Sequence, residues 1–143
     1  MIWIGIDTGT ETGVALWDDT AKRLRFCESG PIHRVMKEVH DFYKWRHLPE
    51  EKITVVFEDA RLRKWYGTTN AKEDRDKLQG AGSVKRDCRI WEDALRDWGI
   101  PFLAVAPKDN MTKLSAEAFR RLTGWTGRTN EHMRDAAMLV YGR

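Results

Sequence analysis

Two acidic side chains each follow a run of apolar residues that is typical of a buried strand. Asp7 ends the run Ile2 to Ile6, and Glu58 ends the run Ile53 to Phe57. Because an unpaired charge is costly to bury, each acid is expected at a strand's end, where it can face a metal ion, a phosphate or a basic partner. For Asp7 the alternative is a local role, in which its carboxylate caps the Thr8-Gly9-Thr10 turn.

A histidine and a third acid share one face of the last predicted helix. His132 and Asp135 are three positions apart, so they lie on the same side of a helix, near its N-terminus, where negative charge is favoured. Their spacing alone also fits a capped surface helix with ordinary polar residues. In combination with the two strand-ending acids, it predicts a cluster of hard oxygen ligands that suits Mg²⁺ or Mn²⁺ rather than zinc. We therefore expect a metal site made of Asp7, Glu58, His132 and Asp135.

Positive charge is concentrated in the middle of the chain. From Arg61 to Arg89 there are nine Lys and Arg residues against four Asp and Glu, although the formal net charge of the whole chain is only +3. Such a segment can contact nucleic-acid phosphates, and Trp65 or Tyr66 can stack on an unpaired base or wedge beside it. The simpler alternative is that Trp65 is partly buried and the charges only solvate a helix and a loop.

The pattern of apolar residues predicts a mixed α/β sheet that positions these groups. Strands are expected at Ile2–Ile6, Gly13–Trp17, Leu24–Cys27, Ile53–Phe57 and Ile100–Ala106. Helices are expected after Pro31, from Gly80 to Trp98 with Gly99 as C-cap, from Thr112 to Thr123, and from a cap at Thr129 or Asn130 to Tyr141. The element order is β-β-β-α-β-α-β-α, in which three antiparallel strands precede two parallel strands, with helices on both faces.

Composition is that of a single globular domain, residues 1–143. With 41% hydrophobic and 33% charged residues, a chain of 143 residues can bury a sizeable core. The two cysteines, Cys27 and Cys88, match no metal-binding spacing and are expected to be reduced. No segment has the apolar length of a membrane span, and the N-terminus lacks signal-peptide features, so a cytoplasmic location is expected.

Segments along nearly the whole chain occur in the order seen in one nuclease family. They are GIDTGTETGVALWD, VVFEDAR, GAGSVKRDCRIWEDAL, FLAVAPKDN and LTGWTGRTNEHMRDAAMLV. Together they resemble the RuvC-type Holliday junction resolvases of the RNase H-like superfamily. The resemblance is weakest from Leu24 to Glu51 and from Leu62 to Leu78. Because the chain is shorter than typical cellular members, a phage or mobile-element version is expected.

The resemblance implies a role for each predicted site residue. Asp7 matches the family's first-strand acid, Glu58 its fourth-strand acid, and His132 with Asp135 the pair on its last helix, which occurs as Asp-x-x-Asp or His-x-x-Asp. Asp7 would bridge two Mg²⁺ ions, with Glu58 on one and Asp135 on the other. His132 would ligate a metal or position water. The neighbouring acids Glu131 and Asp59 remain alternative ligands.

The implied activity is the symmetric hydrolysis of two opposed strands of a four-way DNA junction, with Mg²⁺ as cofactor and Mn²⁺ as a substitute. The residues expected to contact DNA are Arg61, Arg63, Lys64, Trp65, Tyr66, Lys72, Lys85, Arg86, Arg89 and Lys113. Two cuts call for two active sites, so a homodimer is expected, with the helix from Val84 to Trp98 as its interface. The alternative is that Trp91 and Trp98 fill the core. For Lys113 the alternative is a solvated helix face.

Other functions remain open on the sequence alone. The Asp-x-Gly-Thr phrase at Asp7 also resembles the first phosphate loop of actin-like sugar kinases and chaperone ATPases, but those proteins need a second copy of the domain, for which this chain has no room. A second alternative is a catalytically silent nucleic-acid-binding module of the same fold. A third is an RNase H or flap nuclease with a different substrate preference.

Overall fold

Five strands form one mixed sheet in the computed structural model, which describes residues 1–45, 51–63, 71–107 and 113–143. The strands are β1 Ile2–Asp7, β2 Glu11–Asp18, β3 Arg23–Pro31, β4 Ile53–Glu58 and β5 Phe102–Val105, in the order β3-β2-β1-β4-β5. β1 pairs antiparallel with β2, as does β2 with β3, whereas β1–β4 and β4–β5 are parallel. The predicted mixed α/β architecture is confirmed.

Helices cover both faces of this sheet. They are α1 Ile32–Lys44, α2 Ala71–Asp97, α3 Ala116–Thr123 and α4 Glu131–Met138, and a short 3₁₀ helix, Ala60–Leu62, follows β4. The helices α1 and α2 pack on one face through Val35, Val39, Cys88, Trp91 and Leu95, whereas α3 and α4 pack on the other through Phe119, Ala136 and Ala137. Among the described residues, no helix is both long and apolar enough to cross a membrane.

Strand alternation decides which residues of β1 reach which face. Ile2, Ile4 and Ile6 are buried in the layer that α1 and α2 cover. Successive side chains of a strand point to opposite faces, so Gly5 and Asp7 lie on the α4 side. The same alternation sends Glu58 to the α4 side, because Phe57 is buried in the α2 layer.

The two tryptophans of α2 and its C-terminal turn contribute to the folded domain itself. Trp91 is fully buried in the layer between α2 and the sheet, and Trp98 is half-buried, with its ring centroid 4.9 Å from that of His40. Trp91 therefore fills the core, which was the alternative to a role in a dimer interface. An interface along this helix would have to use other side chains, such as Ile90, which is exposed.

Several element boundaries differ from those that the apolar pattern predicts, among them the starts of α2, β5 and α3. The helix α2 begins at Ala71 rather than Gly80, because its first turns consist of good helix formers without an apolar stripe. β5 begins at Phe102 rather than Ile100, since the Ile100 amide donates to the Leu95 carbonyl at the end of α2, over 2.9 Å. Ser115 caps α3 through the Ala118 amide, and the predicted start at Thr112 lies outside the described residues.

Candidate active site

The parallel pairing of β1 with β4 brings the two strand-ending acids to the same edge of the sheet. Ile6 and Phe57 are register partners, so Asp7 and Glu58 are the next residues on neighbouring strands. Both are partly exposed, as is expected where a sheet ends at solvent. The sequence prediction that these acids lie at one rim agrees with this geometry.

The last helix reaches this rim because two glycines leave room for it. A Cβ atom added at Gly13 would fall inside the backbone carbonyl group of His132, and one at Gly5 would fall inside that of Ala136. Gly13 is also the register partner of Asp7 across the β1–β2 pair. The backbone of α4 therefore lies directly on the strands, which places the side chain of His132 beside Asp7.

Asp7 and His132 form the central contact of the site. The His132 Nδ1 and Asp7 Oδ2 atoms are 2.9 Å apart, and the side chains are 37% and 22% exposed. Burial raises the pKa of Asp7 from 3.8 to about 6; the hydrogen bond with His132 lowers it, and the negative charges of Asp135 and Glu58 raise it further. The other three predicted residues thus each affect the ionisation of the Asp7 carboxyl group.

Asp135 is anchored by the backbone of a preceding segment. Its Oδ1 accepts a hydrogen bond from the Lys113 amide over 2.9 Å. Lys113 has a left-handed backbone, with φ of 61°, which is uncommon for a residue other than glycine. The side chain of Lys113 is exposed, so its amide is the part of this residue that contacts the site.

The donor chemistry of the site fits a hard divalent cation. Burial is the main cause of the raised pKa of Asp7, and the negative charges of Asp135 and Glu58 add to it. Carboxylate oxygens are the ligands that a hard divalent cation prefers. In the part of the chain that the structure describes, no group of three or more His, Cys, Asp or Glu side chains stands arranged to hold a metal ion. One Asp135 oxygen is taken by the Lys113 amide, and one Asp7 oxygen by His132. A metal ion would therefore have to replace or share these hydrogen bonds.

Asp59 is excluded from the rim by its own partner. Its carboxylate is buried and accepts hydrogen bonds from the Arg61 amide and guanidinium, at distances from 2.7 to 3.1 Å. Burial opposes ionisation of Asp59, but the hydrogen bonds from Arg61 outweigh it and hold its pKa below the usual range. The guanidinium also contacts Glu92 of α2 over 2.6 Å. Asp59 therefore ties the end of β4 to α2, which leaves Glu58 as the acid of this pair that faces the rim.

The Arg61→Met variant is expected to lower the free energy of unfolding by about 2 to 3 kcal/mol, because it leaves the buried Asp59 carboxylate without its partner. The pKa of Asp59 is lower in the folded protein than in the unfolded chain, where it is about 3.9. Its ionised form therefore stabilises the fold above about pH 4, and this stabilisation is lost as the pH falls through the pKa of the folded state. The difference between wild type and variant should thus be full at pH 7 and shrink below about pH 4. Urea denaturation at several pH values measures it.

The matched control is Arg89→Met on α2. The Arg89–Asp93 pair has side chains that are 68% and 55% exposed, and exposed pairs contribute only about 0 to 1 kcal/mol. An equal loss of stability in both variants would show that the Asp59–Arg61–Glu92 contact has no special role.

The other residues predicted to contact DNA are spread around the α2 region. Arg63, Lys85, Arg86 and Arg89 are exposed, although Arg86 pairs with Asp87 and Arg89 with Asp93. Lys64, Trp65 and Tyr66 lie outside the described residues, and the side chain of Lys72 is not described. Arg61, with its charge balanced by two carboxylates, is the least available of the set.

Two residues orient α4: Asn130, which the sequence offered as one of two candidate caps, and Arg134, which sequence reasoning missed. Asn130 caps the helix by accepting from the Met133 amide over 3.0 Å, and its amide group donates to Ser29 Oγ over 2.7 Å. Arg134 contacts backbone carbonyls at both ends of the α3 region. Asn130 was identifiable as a helix cap, but neither the Ser29 contact nor the acceptors of Arg134 leave a local signal in the sequence.

The sheet order and the two helical layers define a mixed α/β fold. Among solved structures, the chain is similar to the Thermus thermophilus RuvC structure, with a TM-score of 0.54 and 18% sequence identity, over 97% of this chain and 91% of that chain. At this identity the likeness establishes the fold. No protein-family model matches the chain, and no curated protein matches it.

Proposed function

We propose that this protein is a metal-dependent DNA endonuclease that resolves four-way junctions by symmetric phosphodiester hydrolysis. The observation that carries the proposal is the Asp7–His132 contact at the rim of a RuvC-like sheet, within the electrostatic reach of Asp135 and Glu58. Buried catalytic groups with perturbed pKa values and like-charged neighbours are typical of active sites. The RuvC-like fold favours a nuclease over the other chemistries that paired carboxylates can support.

The three carboxylates are proposed as the ligands of divalent cations. Asp7, Glu58 and Asp135 would hold Mg²⁺, or Mn²⁺ in its place, because all three present hard oxygen donors. Two such ions, when bound, would lower the pKa of the attacking water and neutralise charge on the scissile phosphate. Asp7 is the central ligand of this set, since its ionisation responds to both other acids.

His132 is proposed to orient the reacting groups from the helix side. Its Nδ1 contacts Asp7, and more than a third of its side chain is exposed. The imidazole thus has one nitrogen engaged with the acid and another that can serve a water molecule or a metal ion. The close packing of α4 on Gly13 fixes the backbone of His132, so this orientation does not depend on a flexible loop.

The DNA is proposed to lie over the rim and the adjoining basic surface. The exposed side chains of Arg63, Lys85, Arg86, Arg89 and Lys113 would contact phosphates, which gives affinity without base specificity. Because a four-way junction has two-fold symmetry, we propose that two copies of the chain act together as a homodimer.

The proposal is tested by incubating the full chain with end-labelled four-way junction, linear duplex and RNA–DNA hybrid, each with EDTA, Mg²⁺ or Mn²⁺. We expect paired nicks at symmetric positions on two opposed junction strands with either cation, and intact duplex and hybrid. Cleavage should stop in EDTA, because the proposed reaction needs divalent cations to lower the pKa of the attacking water.

Three outcomes contradict this proposal in different ways. Equal cutting of the RNA–DNA hybrid would favour an RNase H activity. Junction binding without cleavage in either cation would favour a silent binding module. ATP hydrolysis without nucleic-acid cleavage would revive the actin-like ATPase alternative.

A further inference from the structure

Arg134 joins three segments of the protein around the site. Its Nε donates to the Leu114 carbonyl over 2.6 Å, and its Nη1 donates to both the carbonyl and the hydroxyl of Thr129, each over 3.1 Å. Leu114 precedes α3, and Thr129 precedes α4. The side chain is partly buried, so these hydrogen bonds replace water at a guanidinium that lies within the fold.

The residue after Arg134, Asp135, contacts the residue before Leu114, Lys113. Asp135 accepts from the Lys113 amide over 2.9 Å, while Arg134 holds the carbonyl of Leu114. Between these two contacts Lys113 keeps a left-handed backbone, with φ of 61°. This conformation is unfavourable for a residue with a Cβ atom, so it persists only where surrounding contacts enforce it.

We propose that Arg134 is a positioning residue, which fixes the Lys113–Leu114 backbone so that the Lys113 amide orients the Asp135 carboxylate at the rim. Its kinetic consequence rests on the proposed nuclease function, whereas its structural consequence does not. Arginine suits this role because its planar guanidinium donates in several fixed directions at once. A lysine has one nitrogen and cannot reach both Leu114 and Thr129 in the same way.

The structural arm of the test is amide hydrogen exchange on the full chain without metal. In Arg134→Met, we expect the Lys113 amide to exchange at least about tenfold faster than in wild type, because its acceptor geometry is lost by local opening. Arg134→Lys should give an intermediate rate, and this milder change keeps the test valid should Arg134→Met unfold. The matched control is Arg121→Met on α3, which removes an exposed pair with Glu117 and should leave the Lys113 amide unchanged.

The kinetic arm uses labelled junction with Mg²⁺. We expect Arg134→Met to lower kcat by about tenfold or more with KM changed less than about twofold, since the catalytic carboxylate is misplaced while the exposed phosphate contacts remain. Arg134→Lys should recover part of kcat. A general loss of structure would instead change KM and the exchange of distant amides together.

The two arms separate the failure of this inference from the failure of the proposed function. Unchanged exchange at Lys113 in Arg134→Met, or full protection in Arg134→Lys, would overturn the positioning role whatever the activity. Faster exchange with unaltered kcat would also overturn it. If the wild type cuts no junction but the exchange result holds, the proposed function fails while the role of Arg134 as an organiser of this segment stands.

Discussion

The Asp7→Asn variant is expected to lose junction cleavage by at least about a thousandfold, since under the proposed function it removes a charge that would act directly at the reacting phosphate. The same variant should be more stable than wild type in the absence of divalent cations. Asp7 is ionised at neutral pH in a partly buried position, next to the negative charges of Asp135 and Glu58. An amide of the same shape keeps the hydrogen bond with His132 and removes the repulsion.

The size and the sign of this stability gain follow from the raised pKa. The pKa of Asp7 is about 6 in the folded state, against an ordinary value of 3.8, so the folded protein binds this proton more tightly than the unfolded chain. Ionisation therefore costs stability above about pH 6, and the cost disappears below about pH 4. We expect a gain of about 1 to 2 kcal/mol for Asp7→Asn at pH 7, less than the whole shift would give, because the side chain is 22% exposed.

Thermal and urea unfolding in EDTA and in Mg²⁺ measure both effects. Mg²⁺ should stabilise wild type through binding to the folded state and should stabilise Asp7→Asn much less. The matched control is Glu117→Gln on α3, an exposed acid that should keep its activity and show an equal response to Mg²⁺. Cleavage by Asp7→Asn within about tenfold of wild type would contradict the central role of this carboxylate.

The sheet and the position of its acids could be predicted from local patterns. Short apolar runs fix the strands, and an acid directly after a run must lie at its end, so the proximity of Asp7 and Glu58 follows once β1 and β4 are parallel. The helical spacing of His132 and Asp135 likewise fixes their common face. The strand ends and the helical spacing are set by residues that are neighbours in the sequence, whereas the proximity of Asp7 and Glu58 also depends on the parallel pairing of β1 with β4.

Contacts between distant residues could not be predicted in this way. Nothing near Arg61 indicates that its guanidinium reaches Glu92, 31 positions further along the chain. From the sequence alone, Arg61 was therefore predicted to contact DNA. Glu58 and Asp59 are consecutive acids, and only the Asp59–Arg61 contact separates their roles. The role of Arg134 was not predicted for the same reason. Its acceptors include backbone carbonyls, which every residue has, so the sequence does not indicate them.

The Gly13→Ala variant is expected to destabilise the protein by about 3 kcal/mol and to reduce junction cleavage by about a hundredfold or more. The added methyl group would collide with the backbone carbonyl of His132 and come within 3.2 Å of the Ala136 Cβ. Neither neighbour is the free end of a side chain, so α4 must move away from the sheet. Because Gly13 pairs with Asp7 across the strands, this movement opens the Asp7–His132 contact.

The same substitution at Gly80 provides a control with the opposite sign. Among the described residues, a Cβ atom at this position in α2 meets no atom within 4 Å beyond its chain neighbours and the backbone of its own helix. Alanine is favoured over glycine inside a helix by about 0.5 to 1 kcal/mol. Gly80→Ala should therefore raise the urea midpoint and keep full activity, while Gly13→Ala lowers both. A Gly13→Ala protein with wild-type stability and cleavage would mean that α4 does not rest on β2 as described, and the site would then have no fixed His132. The pair of variants thus tests whether α4 can pack against the sheet only because Gly13 has no side chain.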